Sequence, residues 1–217
     1  GHKVTLFEAD EKLGGAIKHA EYVDFKWTLN DFRKYLIRQV EKRDIDVRLN
    51  TRATPEMVRA EGFDMVIPAL GATPSLPPIP GIDKPHVMVA TQSMIHPGTV
   101  GQNVVVIGGG EVGVEAGMNL AKKGHNVTVL EMQGKLAAES TMIHYYSMFE
   151  EAWLALPTFH WQLNATVTGI QDDCVTYKDQ EGAEHAIPCD SVVVSLGMKP
   201  LTDEALSFYG SADRFAL

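Results

Sequence analysis

The sequence predicts an α/β fold with parallel sheets and one antiparallel β-meander. Three observations support this prediction. Residues 1–8 repeat at residues 124–131 with five of eight positions identical, residues 103–113 join an apolar run to a glycine-rich loop, and residues 159–187 alternate with period two. Hydrophobic residues are 45% and charged residues 22% of the 217 residues, a composition that excludes a disordered chain.

Residues 103–131 predict a Rossmann-like dinucleotide-binding unit of strand, loop, helix and second strand. The loop carries G-x-G-x-x-G. Gly108 permits the tight turn, Gly110 lets the backbone approach a pyrophosphate, and Gly113 allows the helix to pack closely on the sheet. The helix N-terminus then offers free N–H groups to the phosphates. The predicted site also includes the intervening residues Gly109, Glu111 and Val112.

An acidic residue ends the second predicted strand of this unit. Glu131 follows Gly113 by 18 residues, at the place where an acid hydrogen-bonds the adenosine ribose. Its carboxylate would repel a 2′-phosphate, so the sequence predicts that NADH binds better than NADPH. A glycine loop alone is equally consistent with a turn that binds nothing. The strand, helix and acid in register favour dinucleotide binding.

The repeat also predicts a second site of the same kind. Gly1 matches Gly124, which follows the predicted helix, so we expect the chain to be cut inside a second dinucleotide site whose ribose acid is Glu8. The sequence thus predicts two nested Rossmann-like dinucleotide-binding domains. Residues 1–100, continued by 198–217, would form one, and residues 101–197 the other.

The remaining elements follow from local signals. Thr28 and Asp31 resemble a capping box, and a helical apolar stripe follows at Leu29, Phe32, Leu36 and Val40, which predicts a helix packed on a sheet. Thr54 precedes a predicted helix over 55–60. Strands are predicted at 47–49, 65–67 and 191–197, and meander strands at 159–163, 165–170, 174–177 and 185–187.

Charge and residue usage make several partner classes improbable. The net charge is −9 and basic residues do not cluster, which argues against nucleic acid and anionic membranes as partners. No apolar run approaches the ~18 residues of a membrane span, so the default location is cytoplasmic. Cys174 and Cys189 are 15 residues apart, and the eight histidines lack ligand spacing. No metal site and no redox cysteine pair are therefore predicted.

Two nested dinucleotide units resemble the two-domain flavoprotein pyridine nucleotide oxidoreductases. The matching stretches are Glu8 with 13–15, residues 63–72, 78–81, the glycine loop with Glu115, and 190–197. The helix from Thr28 and the strand at 47–51 are similar to the 2,4-dienoyl-CoA reductase and 2-enoate reductase family. Two departures stand out: Leu70 replaces the middle residue of the family's Ala-Thr-Gly motif, and no cysteine pair follows Gly15.

The resemblance implies that residues 1–100 bind FAD, with Glu8, Gly15 and Gly71 at its site, and that residues 101–197 bind NADH. Glu115 and Gly197 would lie near the nicotinamide. It further implies hydride transfer from NADH to FAD, with FMN and a 4Fe-4S cluster on a covalently linked barrel that reduces an enoate or enoyl-CoA. No residue of this chain is predicted to act as a catalytic acid or base.

Several alternatives stay open at this point. Glu115 is also consistent with an acid favoured by the helix dipole, Gly197 with an ordinary turn, and Glu8 with a solvated acid at a strand end. For the whole protein, an NADH oxidase or a ferredoxin reductase would use the same chemistry. A nucleotide-binding sensor that never turns over is the alternative from another class.

Overall fold

The computed structural model describes residues 1–140 and 144–217, which form two compact units. Unit 1 is Gly1–Thr73 with Lys199–Leu217, and unit 2 is Pro74–Met198. The α/β class, the nesting and the meander are confirmed. The chain passes into unit 2 after Thr73, not near residue 100 as predicted, because residues 87–89 pair within the sheet of unit 2. The assignment of one cofactor to each domain stays a prediction.

The secondary structure alternates between strands and helices along most of the chain. In chain order the strands are β1 Val4–Phe7, β2 Ile45–Arg48, β3 Met65–Val66, β4 Ala72–Pro74, β5 Val87–Val89, β6 Asn103–Ile107, β7 Asn126–Leu130, β8 Phe159–Gln162, β9 Thr166–Ile170, β10 Cys174–Lys178, β11 Glu184–Pro188, β12 Ser191–Val194, β13 Met198–Pro200 and β14 Arg214–Phe215. The α-helices are α1 Trp27–Glu41, α2 Pro55–Glu61, α3 Ala90–Ile95, α4 Glu111–Lys122, α5 Tyr145–Leu154 and α6 Thr202–Ser207. Short 3₁₀ helices span Gly15–Tyr22, Asp24–Lys26 and Pro97–Thr99.

Unit 2 is built on a five-stranded parallel sheet in the order β5-β12-β6-β7-β8. The central strands β6 and β12 are runs of valine whose side chains are almost fully buried, as expected for a parallel sheet covered on both faces. Because all five strands run the same way, their carboxyl ends lie along one edge, which is where ligands bind in such sheets.

Helix α4 packs tightly against this sheet. Nine of its twelve residues are buried, from Gly113 to Ala121. A Cβ added at Gly117 would lie 2.8 Å from Cε2 of Phe159 and 3.3 Å from Cγ1 of Val127. The interior glycine therefore lowers helix propensity but lets α4 approach β7 and β8 closely.

A three-stranded antiparallel sheet, β11-β10-β9, follows the parallel strands. Its Ile170, Val175 and Tyr177 join the hydrophobic core of unit 2. The first segment predicted for the meander, residues 159–163, is instead the edge strand β8 of the parallel sheet. Its alternating polar residues reflect an edge position, because Phe159 is buried while the three residues after it are exposed.

Unit 1 holds two small parallel pairs, β1-β2 and β14-β3. Helix α2 begins as predicted: Pro55 is its first residue, and Oγ1 of Thr54 accepts the N–H of Met57 at 3.3 Å. Gly62 ends it in a left-handed conformation, φ +69°.

Helix α1 differs from the prediction at its start and on its apolar face. Lys26 is the N-cap, and no side chain among the described residues caps the helix there, so the predicted capping box of Thr28 and Asp31 is wrong. Phe32 and Leu36 of the predicted apolar stripe are 53% and 41% exposed. A helical spacing of apolar residues therefore did not identify a buried face here.

An arginine is the buried anchor of α1. Arg33 is 6% exposed, and its Nη2 donates to a carboxylate oxygen of Glu21 at 2.7 Å. Its Nη1 donates to the carbonyl of Leu13 at 3.3 Å. A Cβ at Gly14 would lie 2.7 Å from Cδ of Arg33, so the glycine makes room for the arginine stem.

Candidate functional site

The glycine loop between β6 and α4 is the tight turn that the sequence predicts. Gly108 has φ +97°, and its N–H donates to the carbonyl of Leu130 at 2.9 Å. A Cβ at Gly108 would lie 2.4 Å from the carbonyl oxygen of Ser195, and one at Gly113 would lie 1.9 Å from the carbonyl oxygen of Gly108. Only glycine fits either position without moving the backbone.

Gly110 differs from its neighbours because open space lies beside it. It is the N-cap of α4, and an added Cβ would meet no heavy atom within 4 Å. The backbone at this point is therefore accessible to a ligand. A helix N-terminus with free N–H groups and partial positive charge suits a phosphate, so the loop fits a dinucleotide pyrophosphate.

A cavity of about 290 Å³ opens at this edge of unit 2. It lies where β5 and β12 end and α4 begins, and it brings together four of the predicted residues: Gly110, Glu111, Val112 and Gly197. The other lining residues are Pro74, Val89, Ala90, Thr91, Ala137, Glu139, Ser140, Val194, Ser195 and Met198. The predicted residues that do not line the cavity are Gly108, Gly109, Gly113, Glu115 and Glu131.

Glu131 and Gly109, which do not line the cavity, are hydrogen-bonded to each other. One carboxylate oxygen of Glu131 accepts the N–H of Gly109 at 2.6 Å, and the other accepts the N–H of Gln133 at 2.7 Å. Glu131 is 7% exposed. The acid that the sequence assigns to a ribose thus also contacts the glycine loop.

The two glutamates of α4 have different environments. Glu111, the first residue of the helix, lines the cavity and accepts a hydrogen bond from the Ser140 hydroxyl. Glu115, in the second turn, is 7% exposed and does not line the cavity.

Sequence reasoning missed the segment that follows Gln133. Ala137 has φ +47°, and its N–H donates to the carbonyl of Gly109 at 2.7 Å. Ser140 and Glu139 line the cavity, and the Ser140 hydroxyl donates to Glu111 at the start of α4. No periodicity or motif marks these residues, because their roles come from a loop conformation set by tertiary contacts.

The repeat between the two units extends further than the sequence comparison found. The carboxylate of Glu8 accepts the N–H of Asp10 at 2.9 Å. The carboxylate of Glu131 likewise accepts the N–H of Gln133 at 2.7 Å. Similar tripeptides directly follow the two strands that pair with β1 and β7. They are Leu49-Asn50-Thr51 after β2 and Leu163-Asn164-Ala165 after β8. In both tripeptides, the N–H of the third residue donates to the backbone carbonyl of the glutamate at 2.9 Å. The N–H of the asparagine donates to the backbone carbonyl of the residue two positions after that glutamate. These acceptors are Asp10, at 3.0 Å, and Gln133, at 3.1 Å.

The predicted site residues of unit 1 are Glu8, Gly15 and Gly71. Gly15 and Gly71 have φ +49° and +77°, and an added Cβ at either would meet nothing within 4 Å. Residues 1–73 contain no G-x-G-x-x-G. This part of the chain thus offers an acid suited to a ribose, Glu8, and two exposed glycine backbones.

The two cysteines are free and unreactive by environment. Burial raises the pKa of Cys189 to about 11 and also raises the pKa of Cys174. At neutral pH both are therefore overwhelmingly thiols, which are poor nucleophiles and poor metal ligands. Among residues 1–140 and 144–217, no cluster of three or more His, Cys, Asp or Glu side chains is placed to hold a metal ion.

The sequence of the chain matches a known protein family. The family model described as pyridine nucleotide-disulphide oxidoreductase matches residues 1–212. The chain belongs to this family. The match covers the glycine loop, the repeat and both units, and it confirms the resemblance that the motifs predicted.

Individual relatives of the family are considerably longer than this chain. A bilirubin reductase of Mediterraneibacter gnavus is 36% identical over 203 residues, which are 92% of this chain and 31% of the relative. An NADH oxidase of Thermoanaerobacter brockii is 31% identical over 209 residues, 94% of this chain and 32% of the relative. The solved structure of a 2-naphthoyl-CoA reductase in complex with 2-naphthoyl-CoA superposes with a TM-score of 0.92 at 28% identity, covering 100% of this chain and 33% of that one. The chain therefore spans about a third of each. No helix among the described residues is long and apolar enough to cross a membrane.

Proposed function

We propose that unit 2 binds NADH and that the chain is the electron-entry module of a flavin-dependent oxidoreductase. The observation that supports this is the open backbone of Gly110 at the start of α4, on the carboxyl edge of a parallel sheet, with the acid Glu131 ending the next strand. The bound nicotinamide would supply the hydride chemistry. The chain's own part is to hold the pyrophosphate at Gly110 and the first turn of α4, and to shelter the nicotinamide end near Gly197.

NADH is the proposed dinucleotide rather than NADPH. The buried carboxylate of Glu131 stands at the end of β7, where a 2′-phosphate would meet negative charge in a poorly hydrated place. Titrating the chain with both dinucleotides by calorimetry should show NADH binding roughly 10- to 100-fold more tightly. Equal affinities, or tighter NADPH binding, would contradict the assignment.

FAD is the proposed acceptor, with Glu8, Gly15 and Gly71 of unit 1 contacting it in the complete protein. The exposed backbones at both glycines and the strand-end carboxylate suit the adenosine part of such a cofactor. Because residues 1–73 lack a glycine loop, a phosphate cradle would have to come from other residues of the complete protein.

The proposed final reaction is reduction of an activated alkene, an enoate or enoyl-CoA, on a covalently linked barrel with FMN and a 4Fe-4S cluster. Two relatives bear names of reductases, for bilirubin and for 2-naphthoyl-CoA, and each is about three times as long as this chain. A cytoplasmic location is part of the same proposal. A second candidate is an NADH oxidase, favoured by the relative of that name.

One experiment on the complete protein separates these functions. Anaerobic mixing with NADH should remove the absorbance of oxidised flavin, and an added enoate or enoyl thioester should restore it. Restoration by oxygen alone would favour the oxidase. NADH binding with no change in flavin absorbance would indicate a non-catalytic sensor and overturn the electron-transfer proposal.

A further inference from the structure

Glu131 is held by the protein backbone through both of its carboxylate oxygens. Each of its carboxylate oxygens accepts one backbone N–H, from Gly109 at 2.6 Å and from Gln133 at 2.7 Å. The residue is 7% exposed. Hydrogen bonds from backbone N–H groups to a buried carboxylate are short and strong, so they constrain the groups that they join.

Gly109 is confined on several sides, and Glu131 is one of them. Its carbonyl accepts the N–H of Ala137 at 2.7 Å. A Cβ at Gly109 would lie 2.9 Å from Cβ of Glu131 and 2.7 Å from Cδ2 of Leu136. Because Gly109 precedes Gly110 directly, fixing its peptide groups also fixes the direction in which the backbone of Gly110 faces the cavity.

The repeat in unit 1 reproduces one of the two bonds of Glu131. Glu8 makes the same contact two residues along the chain, with the N–H of Asp10 at 2.9 Å, but is only half-buried. The bond from Gly109 to Glu131 joins the loop after β6 to the residue after β7, so it is the bond that can orient the loop.

We propose that Glu131 is a positioning residue for the glycine loop, in addition to any contact with a ribose. It orients the peptide groups around Gly109 so that Gly110 and the first turn of α4 present their N–H groups to phosphate. This inference rests on the proposed function and deepens it: binding of any pyrophosphate group would depend on Glu131, whether or not a ribose is attached.

The test uses Glu131→Gln, which keeps the shape of the side chain but replaces one acceptor oxygen with an NH₂ group. We expect amide hydrogen exchange at Gly109 to become about 10-fold faster, and the affinity for inorganic pyrophosphate to fall about 10-fold. NADH affinity should fall at least as much. Glu8→Gln is the matched control for exchange and should leave the Gly109 amide unchanged.

The outcomes are separable. Weaker NADH binding with unchanged pyrophosphate affinity and unchanged Gly109 exchange would assign Glu131 to the ribose alone and overturn the inference. If the wild-type chain binds neither ligand, the proposed function fails, and Gly109 exchange by itself decides whether Glu131 holds the loop. Should Glu131→Gln fail to fold, Glu131→Asp, which keeps the charge but is one methylene shorter, should give the same loss of Gly109 protection.

Discussion

Strands β1 and β2 of unit 1 and strands β7 and β8 of unit 2 form two versions of one motif. Each pair is parallel, and a glutamate directly follows each first strand. The two sets of backbone hydrogen bonds around those glutamates agree within about 0.1 Å. They differ in what lies beside the acid. Glu131 contacts a glycine loop and is buried, whereas Glu8 is half-buried and its carboxylate accepts one backbone N–H among the described residues.

The comparison separates what the strand pair needs from what the binding site needs. The strand end, the turn after the glutamate and the partner asparagine form in both units. They depend on local hydrogen bonds that the short repeat encodes. In unit 2 the glutamate is also buried and accepts the N–H of Gly109, in the loop between β6 and α4. The glycine loop is therefore the part of this edge that makes it a candidate phosphate site.

The largest expected effect comes from substituting the loop glycine that packs against its own turn. In Gly113→Ala the Cβ would lie 1.9 Å from the carbonyl oxygen of Gly108. Because the loop or α4 must shift, we expect the free energy of unfolding to fall by at least about 2 kcal/mol. NADH binding should be lost. Chemical denaturation followed by circular dichroism measures the first effect, and calorimetry the second.

Gly110→Ala is the matched control for that substitution. Its Cβ meets nothing within 4 Å, and φ −66° suits alanine, so stability should change by less than about 1 kcal/mol. NADH affinity should nevertheless fall roughly tenfold, because the methyl group occupies the space assigned to the pyrophosphate. Full NADH affinity in Gly110→Ala would show that the phosphates do not bind at this glycine.

A smaller effect concerns the choice between NADH and NADPH. Charge alone would make Glu131→Arg favour NADPH, but the hydrogen bonds of Glu131 change the expected outcome. Arginine cannot accept the N–H groups of Gly109 and Gln133, so the loop loses its anchor and both dinucleotides should bind roughly 10-fold or more weakly. Calorimetry with each dinucleotide checks this, and a variant with improved NADPH binding would refute the role of the anchor.

Met132→Arg is the companion variant. Met132 is 68% exposed at the end of β7, so an arginine there adds a cation and leaves the Glu131 carboxylate in place. An exposed ion pair contributes up to about 1 kcal/mol, so NADPH affinity should rise by a few-fold while NADH affinity stays nearly constant. A loss of NADH affinity equal to that of Glu131→Arg would show that the whole segment, not the acid, holds the loop.

The sequence alone predicted the parts of the fold that depend on local chemistry. The G-x-G-x-x-G after a valine run identified β6, the loop and α4, and the repeat identified β1 and β7. It could not predict the bond between Gly109 and Glu131, which are 22 residues apart and meet through the pairing of β6 with β7. The roles of Ala137 and Ser140 were equally hidden, because a loop conformation carries no periodic signal.

Two errors share one physical cause. Residues 159–163 were predicted to join the meander and Phe32 to face a core, because alternation and helical spacing report which residues are apolar, not what covers them. Phe159 is buried against β7 in a parallel edge strand, while Phe32 is 53% exposed. Periodicity therefore indicated the type of element and not its neighbours.

The smallest expected effect tests whether the two strand-end motifs are energetically equivalent. Asn50 and Asn164 both have left-handed backbones, φ +51° and +54°. Alanine in that conformation costs about 1 kcal/mol, and glycine avoids the strain. Asn50→Ala and Asn164→Ala should each destabilise their own unit by about 1 kcal/mol, with the glycine variants nearer to wild type. Hydrogen exchange in each unit measures this. The N–H of Asn164 donates to Gln133, and that of its neighbour Ala165 donates to Glu131. A much larger loss at Asn164 would therefore mean that the turn in unit 2 is coupled to the glycine loop and not set by local conformation alone.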